Sequence, residues 1–374
     1  MKFEVCELNK PSNPVDKDLL VLDDKIRAET DKLYEGVKHI IPYDEWVAYA
    51  PYVAAINRLK KEKDAVILAH NYMTADIFHC ISDFRGDSLG LARQAQKVPQ
   101  QVIVQCGVHF MAETSKILCP EKTVLIPDLQ AGCSLAASIK GEDVKLIKQK
   151  YPNLPVVTYV NTTADVKAES TICCTSSNAV QVVEEIAKQW GVDSVIMVPD
   201  EFLARNVAAQ TDIKIIAWKG ACEVHEQFTG EDVKELREAY PGVTVLAHPE
   251  CPNDVVQESD FAGSTGAMAD FVKMNKPKKV VLITECSMSD NVAIENPDVE
   301  FIRPCNLCPH MKTISLKKIY ECLRDMKYEV KLEPELIEKA RKSVDAMLEL
   351  PPRNANVFDT KAKVPGDFTV VSNG

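Results

Sequence analysis

Short apolar runs rich in valine and isoleucine alternate with stretches of helical periodicity along most of the chain. The runs come in three groups: AVILAHNY, QVIVQCGVHF and TVLIPDLQAGCS; PVVTYVNT, SVIMVPDEF and IKIIAWKGAC; VTVLAHPEC, KVVLITECSM and EFIRPCNLC. Each group predicts the order strand, helix, strand, helix, strand, and then a cysteine. Short buried strands that alternate with helices are typical of a parallel sheet covered on both faces. The pattern therefore predicts an α/β fold.

The three groups are copies of one unit. GEDVKLIKQKYP begins at Gly141, and the nearly identical GEDVKELREAYP begins at Gly230, 89 residues later. Steps of 86 to 89 residues also relate a cysteine, a strand-end ring and a hydroxyl group in each copy: Cys133, Cys222 and Cys308; His70, Tyr159 and His248; Ser88, Ser176 and Thr265. This period is too long for a solenoid repeat. We therefore predict three αβα three-layer domains with short parallel sheets, related by a pseudo-threefold axis, with the functional site at their junction.

The predicted domain boundaries follow from these copies. Residues 1–64 form a helical extension broken by Pro42 and Pro51, residues 65–150, 151–239 and 240–332 form the three repeats, and residues 333–374 form a helix and a polar tail. The ligands of open α/β sheets bind outside the carboxyl ends of the strands. The strand ends of the three repeats are therefore where we expect chemistry.

Composition narrows the class of protein. The chain has 374 residues, 46% of them hydrophobic, and no apolar run typical of a signal peptide or a membrane-spanning helix. We expect a cytoplasmic protein in which some of the 13 cysteines bind metal, because their odd number and the lack of a secretion signal argue against a disulfide scaffold. A net charge of −11 argues against nucleic acid and membrane as partners.

The three cysteines in register are candidate metal ligands. Three thiolates can hold three irons of a [4Fe–4S] cluster and leave the fourth iron open, or they can hold zinc together with a water. Their spacing does not decide between the two. In the Cys305-x-x-Cys308 pair we select Cys308 as the ligand, with Cys305 as a candidate disulfide partner that would switch the site off. The other cysteines are interpreted as structural thiols.

Polar residues at matching positions suit an anionic ligand and proton transfer. In each copy we expect a helix to begin at a serine or threonine N-cap, whose free backbone N–H groups also bind anions. Donors and a carboxylate base follow the first strand of each copy, and one histidine lies three residues beyond Cys222: His70, Tyr72, Tyr159, Asn161, His248, Glu250 and His225. Lys312 is expected to be a solvated side chain at the start of a helix.

Several of these motifs together resemble the quinolinate synthase family. They are AHNY, DFRGDSLGLA, PDLQAGCSLA, VTYVNTTADVKA, CTSSNA, GACEVHE, AHPEC, GSTGAM and CPHMK, which lie between Ala65 and Leu316. The resemblance implies three pseudo-equivalent αβα domains and one [4Fe–4S] cluster per chain. It also implies an enzyme of NAD biosynthesis that condenses iminoaspartate with dihydroxyacetone phosphate, giving quinolinate, phosphate and two waters.

The resemblance also assigns roles to residues. Matched by motif, the cluster ligands are Cys133, Cys222 and Cys308. Carboxylate or phosphate is expected at Ser88, Ser176, Ser264 and Thr265. Protons are expected to move through Tyr72, His225 and Glu250. His70 and Tyr159 are expected to take part in both catalysis and substrate binding, and Asn161, His248 and Glu250 to bind substrate. The open iron is expected to act as a Lewis acid, and an aspartate oxidase or dehydrogenase to supply the imine. Cys305 and Cys308 resemble the redox-sensitive pair of some family members.

Two other interpretations stay open on the sequence alone. A zinc-dependent lyase or hydrolase would use the same three cysteines, and metal analysis and colour separate it from an iron–sulfur enzyme. A non-catalytic iron–sulfur sensor would bind a ligand without turnover. The acidic charge, and the absence from the sequence of a recognisable DNA-binding element, argue against the sensor.

Overall fold

A computed structural model describes residues 20–304, 306–351 and 357–372. The predicted α/β class is confirmed, because the described residues form three separate sheets with helices between their mainly parallel strands. Cys305 lies outside the described residues, so its predicted pairing with Cys308 stays a prediction. No helix among the described residues is both long and apolar enough to cross a membrane.

Within residues 20–64, which the structure describes, two helices precede the first sheet, α1 (Asp24–Val37) and α2 (Tyr43–Glu62). Pro42 lies at the N-cap of α2, where its missing N–H costs nothing, and it separates the two helices as predicted. The predicted break at Pro51 is wrong, since Pro51 lies inside α2. The buried face of α2, which includes Pro51 itself, packs on the first sheet and keeps the helix continuous despite the lost hydrogen bond.

The first sheet has four strands in the order β2-β1-β3-β4. All six residues of β1 are buried, as expected for a central strand covered on both faces. The elements in chain order are β1 (Ala65–His70), α3 (Ala75–Cys80), β2 (Phe84–Gly86), α4 (Ser88–Lys97), β3 (Val102–Cys106), α5 (His109–Leu118), β4 (Thr123–Leu125) and α6 (Ser134–Ala137).

The second sheet contains the same run of strands, in the order β6-β5-β7-β8. A further strand from the end of the chain lies beside β8. The elements are α7 (Gly141–Lys150), β5 (Val156–Tyr159), α8 (Ala164–Glu169), β6 (Ile172–Cys174), α9 (Ala179–Trp190), β7 (Ser194–Val198), α10 (Glu201–Ala208) and β8 (Lys214–Trp218).

The third sheet follows the same plan, in the order β10-β9-β11-β12, and it also gains an edge strand from the end of the chain. In each of the three sheets, the second strand of the unit therefore lies beside the first strand, on the side away from the third strand. The elements are α11 (Gly230–Ala239), β9 (Thr244–Ala247), α12 (Asn253–Glu258), β10 (Phe261–Gly263), α13 (Thr265–Asn275), β11 (Lys279–Ile283), α14 (Ser287–Glu295) and β12 (Glu300–Ile302).

The predicted order was incomplete, because each unit has four strands and not three. The missed strands β2, β6 and β10 have the sequences FRG, ICC and FAG, none of which is a run of valine and isoleucine. The predicted serine or threonine caps are also only partly right. Ser264 caps α13, but Asp87 precedes α4 and Asn178 precedes α9. Aspartate and asparagine cap helices as well as serine does.

The chain ends with α15 (Leu316–Asp325), α16 (Pro334–Glu349), β13 (Val357–Phe358) and β14 (Thr369–Val371). Residues 357–372, the C-terminal strap, were predicted only as a polar tail. β13 pairs antiparallel with β10 of the third sheet, and β14 pairs parallel with β8 of the second sheet. The Arg205 guanidinium lies 4.7 Å from the ring centre of Phe368 in the strap. The strap therefore joins the second and third sheets.

The strap is expected to contribute to stability mainly through Phe358, which is 2% exposed. Removing a buried aromatic ring typically costs about 3–5 kcal/mol, so Phe358→Ala should lower the midpoint of thermal unfolding clearly. The neighbouring Val357 is 60% exposed, and Val357→Ala is the matched control, with an expected change within about 0.5 kcal/mol. Equal thermal midpoints for the two variants would contradict this role of the strap.

Candidate active site

One cavity is lined by residues at or just beyond strand ends of all three sheets. All but one of the predicted site residues line it: His70, Tyr72, Ser88, Cys133, Tyr159, Asn161, Ser176, Cys222, His225, His248, Glu250, Thr265 and Cys308. The exception is Ser264, whose hydroxyl accepts the backbone N–H of Ala267 at 3.3 Å and which lines a neighbouring surface cavity. The first strands of the three units place their terminal ring residues in this cavity because β1 and β5 end at His70 and Tyr159, and His248 directly follows β9.

One cysteine from each unit lines the cavity. Cys133 precedes α6, Cys222 follows β8, and Cys308 lies in the loop after β12. All three are free of disulfides. Burial raises the pKa of Cys133 to about 12 and that of Cys308 to about 11, and it raises the pKa of Cys222 as well. Thiols with a raised pKa ionise when a metal supplies positive charge, so three of them that line one cavity suit a metal centre.

Side chains beside the cysteines connect their loops. The Ser134 hydroxyl donates to the carbonyl of Ala221 at 3.2 Å and accepts the backbone N–H of Glu223 at 3.1 Å. His310 Nε2 lies 3.0 Å from Glu223 Oε1. The loops that contain Cys133, Cys222 and Cys308 are thus connected to one another by residues close to the three cysteines.

Two histidines at equivalent positions have the same tautomer. His70 Nδ1 accepts the backbone N–H of Tyr72 at 3.2 Å, and His248 Nδ1 accepts that of Glu250 at 3.3 Å. Burial lowers the pKa of His70 to about 4 and that of His248 to about 3. Both rings are therefore neutral at pH 7 and carry their proton on Nε2. From there His248 donates to Ser176 Oγ at 3.2 Å, which leaves the serine hydroxyl proton free for a ligand.

Glu250 is the ionised group at the centre of the cavity. Its Oε1 accepts hydrogen bonds from the Tyr159 hydroxyl and, at 3.5 Å, from Asn161. Its Oε2 lies 2.9 Å from His225 Nδ1. Burial alone would favour the neutral acid, but the adjacent histidine rings and these hydrogen bonds outweigh it and lower the pKa of Glu250. A buried carboxylate that stays ionised can stabilise positive charge on a neighbouring imidazole.

The structure adds a residue that the sequence interpretation missed, Thr284. It directly follows β11 and is completely buried. Its Oγ1 lies 2.6 Å from the Tyr72 hydroxyl and 2.9 Å from His225 Nε2, while those two groups are 3.4 Å apart. Thr284 therefore connects Tyr72 to His225. The signal that could have found it is its place as the first polar residue after the apolar run KVVLI.

Further lining residues were not predicted either. Most are apolar side chains from α5 or direct neighbours of a site residue already named: Asp87, Val108, Phe110, Met111, Gly132, Ser134, Thr175, Glu223, Val224, His310 and Met311. Among the described residues that line the cavity there is no lysine or arginine. An anion here would have to be held by neutral donors: the hydroxyls of Ser88, Ser176 and Thr265 and the Nε2–H of the two neutral histidines.

Lys312 does not behave as predicted. Its ammonium group lies 3.0 Å from Glu285 Oε1, contacts the Ser287 hydroxyl, and donates to the Tyr72 carbonyl at 3.3 Å. The Glu285 carboxylate is fully buried, and its ionisation without a partner would be costly in free energy. The ion pair with Lys312 offsets this cost and keeps the lysine side chain largely buried. This pair lies behind Tyr72 and fixes the backbone there.

The chain is similar to known proteins over most of its length. Residues 54–349 match the family model described as quinolinate synthetase A protein. The chain is 62% identical over 332 residues to quinolinate synthase of Caulobacter vibrioides, with 89% of this chain and 90% of the relative covered. Quinolinate synthase 1 of Mesorhizobium japonicum is 60% identical over 84% of this chain and 96% of its own length. Quinolinate synthase of Sinorhizobium medicae is 56% identical over 90% of this chain and 92% of its own length.

Proposed function

Since the chain belongs to the quinolinate synthetase A family, we propose that it condenses iminoaspartate with dihydroxyacetone phosphate to give quinolinate, phosphate and two waters. The product serves NAD biosynthesis. The main support for the proposal is that one cavity is lined by a cysteine of each repeat together with Tyr72, His225 and Glu250. A hydrophobic core does not require thiols and proton-transfer groups in the same cavity, and neither does a protein that only senses a ligand.

The metal centre of this proposal is one [4Fe–4S] cluster per chain, held by Cys133, Cys222 and Cys308. The donor set fits, because the three thiols are free, face one cavity and belong to loops that Ser134 and Glu223 tie together. When bound, such a cluster supplies an open iron that acts as a Lewis acid. The common strand order of the three sheets supports the related proposal that residues 65–150, 151–239 and 240–332 are domains arranged about a pseudo-threefold axis.

The substrates carry carboxylate and phosphate groups, and the chain would bind them without cationic side chains. Ser88 and Thr265 begin α4 and α13, so their backbone N–H groups as well as their hydroxyls can reach an anion. Asn71 donates to Thr265 Oγ1 at 2.9 Å, which links the first repeat to the third at this point. Ser176 and the Nε2–H of His70 and His248 would complete the contacts to anionic groups.

Isomerisation, elimination and ring closure all require protons to move. The Tyr72 hydroxyl, Thr284 Oγ1 and His225 Nε2 form a continuous path, and Glu250 lies on the other side of the imidazole. A proton leaving Tyr72 can reach His225 through Thr284, and the ionised Glu250 stabilises the imidazolium that forms. Tyr159 and Asn161 hold the Glu250 carboxylate in place for this role.

Thr284→Val tests the path directly. Valine has nearly the same shape as threonine but no hydroxyl, so Tyr72 and His225 lose their shared partner. General acid–base steps typically contribute about 10²–10⁴-fold, and because Tyr72 and His225 still face each other we expect kcat to fall by about tenfold to a hundredfold. Thr284→Ser, which keeps the hydroxyl, is the control. Iron content should be unchanged in both variants, and a valine variant with normal kcat would rule the path out.

The activity itself is tested by following quinolinate formation by anaerobic chromatography after mixing the purified protein with dihydroxyacetone phosphate and iminoaspartate. An added aspartate oxidase can supply the unstable imine from aspartate. We expect quinolinate and phosphate in equal amounts. Phosphate release without quinolinate would contradict the proposal. Coupling to an aspartate oxidase or dehydrogenase in the cell and a cytoplasmic location stay predictions.

A further inference from the structure

A second group of metal-binding atoms lies in the cavity, and it shares only one residue with the proposed cluster ligands. Cys222 Sγ, a ring nitrogen of His225 and a carboxylate oxygen of Glu250 all lie within 4.8 Å of one another, and the ring nitrogen nearest to Glu250 is Nδ1, 2.9 Å from Oε2. His225 and Glu250 are buried, and Cys222 is half-buried. Ligands of one tetrahedral zinc at bond lengths of about 2.0–2.3 Å are separated by roughly 3–4 Å, so a small movement would bring these atoms to coordination distance.

His225 Nδ1 has the properties of a ligand atom. It is buried without an aligned hydrogen bond, although Glu250 Oε2 lies 2.9 Å away. The other ring nitrogen, Nε2, faces Thr284 Oγ1 at 2.9 Å. When Nε2 carries the proton and donates it to Thr284, Nδ1 presents a lone pair to the cavity. A metal-binding histidine is commonly oriented by a hydrogen bond from its other nitrogen in this way.

Glu250 offers the matching oxygen. Its Oε1 is occupied by Tyr159 and Asn161, whereas Oε2 points toward His225 and has free lone pairs. A thiolate, an imidazole and a carboxylate together favour a borderline-soft divalent cation, and three protein ligands leave a fourth position for water. This donor set differs from the three thiolates proposed for the cluster.

We propose that the cluster-free protein binds one Zn²⁺ through Cys222, His225 and Glu250, and that this zinc blocks cluster assembly because both centres require Cys222. The second half of the proposal rests on the proposed function, since it takes Cys222 to be a cluster ligand. The first half does not. Zinc in this position would also remove His225 and Glu250 from proton transfer. The site would therefore make assembly of the active enzyme sensitive to the ratio of iron to zinc.

Substitutions can distinguish the proposed zinc site from the proposed cluster, because the two centres share only one residue. Cys133 belongs only to the proposed cluster, His225 and Glu250 only to the zinc site, and Cys222 to both. Cluster-free protein, prepared anaerobically, is titrated with Zn²⁺ against a chromogenic chelator. Wild type is expected to bind one zinc, and Cys133→Ser to bind it with nearly unchanged affinity. Glu250→Gln, His225→Gln and Cys222→Ser are each expected to bind zinc at least about tenfold more weakly. Circular dichroism checks that each variant is folded.

Zinc K-edge absorption then reports the ligands, with one sulfur and otherwise nitrogen and oxygen expected. Reconstitution with iron and sulfide tests exclusion: zinc-loaded wild type should take up no cluster until the zinc is chelated, whereas Glu250→Gln should take it up at the same zinc concentration. Three sulfur ligands, or unchanged affinity in both Glu250→Gln and His225→Gln, would overturn the zinc site. Wild-type protein that binds zinc but never accepts a cluster would contradict the proposed function and leave the zinc site standing.

Discussion

Cys222→Ser is expected to yield a protein with no iron–sulfur cluster and no measurable quinolinate synthesis. With one of three thiolates gone, the cluster loses a ligand on one side of the cavity, and a serine hydroxyl does not replace a soft thiolate. A Lewis-acid metal typically contributes several kcal/mol to the transition state. At 1.36 kcal/mol per tenfold change in rate, the loss of activity should be about a thousandfold or more. Iron and sulfide analysis, together with the anaerobic assay, measures both effects.

Cys322→Ser is the matched control for this prediction. Cys322 is buried in α15, where its thiol donates to the Lys327 carbonyl at 3.1 Å, a bond that a serine hydroxyl can also make. It does not line the cavity. We expect this variant to keep wild-type iron content and activity. A fully loaded, active Cys222→Ser protein would remove Cys222 from the cluster.

Glu250→Gln is expected to lower kcat without loss of the iron–sulfur cluster. The amide has no charge to stabilise an imidazolium at His225, and it replaces one of the two oxygens that face Tyr159 and His225. Proton transfer should therefore slow, with kcat reduced by about 10²–10⁴-fold. Iron content and the visible spectrum should match those of wild type, because Glu250 is not among the proposed cluster ligands.

Glu226→Gln makes the same chemical change one residue beyond His225. Glu226 is exposed and does not line the cavity, so its loss should leave kcat within about twofold of wild type, as for most surface changes. If Glu250→Gln retained normal kcat, or lost its cluster, Glu250 would not have the role in proton transfer that we propose.

Several strands and many of the residues that line the cavity could be predicted from the sequence. The apolar runs located β4, β8 and β12 and the cysteine that follows each of them, although β4 and β12 have only three residues each. The 89-residue repeat then related residues that proved to line one cavity, such as His70, Tyr159 and His248. A repeat can do this because equivalent strand ends of similar units have equivalent surroundings.

The remaining features depend on contacts between segments that are far apart in sequence. Thr284 gains its importance only because Tyr72 and His225, 212 and 59 residues away, meet it in the folded chain. The C-terminal strap carries little apolar periodicity of its own, and its strands form against edges that other units provide. Lys312 was misjudged because its partner, the buried Glu285, follows a different strand.

Iron, sulfide and zinc analysis of the anaerobically purified wild-type protein, together with its visible spectrum, decides whether the three cysteines hold an iron–sulfur cluster. We expect about four irons and four sulfides per chain, as a [4Fe–4S] centre requires, with a brown absorbance that disappears in Cys133→Ser. One zinc per chain without colour, in protein that accepts no cluster on reconstitution with iron and sulfide, would contradict this expectation. The three cysteines that line the cavity would then belong to a zinc enzyme of another class.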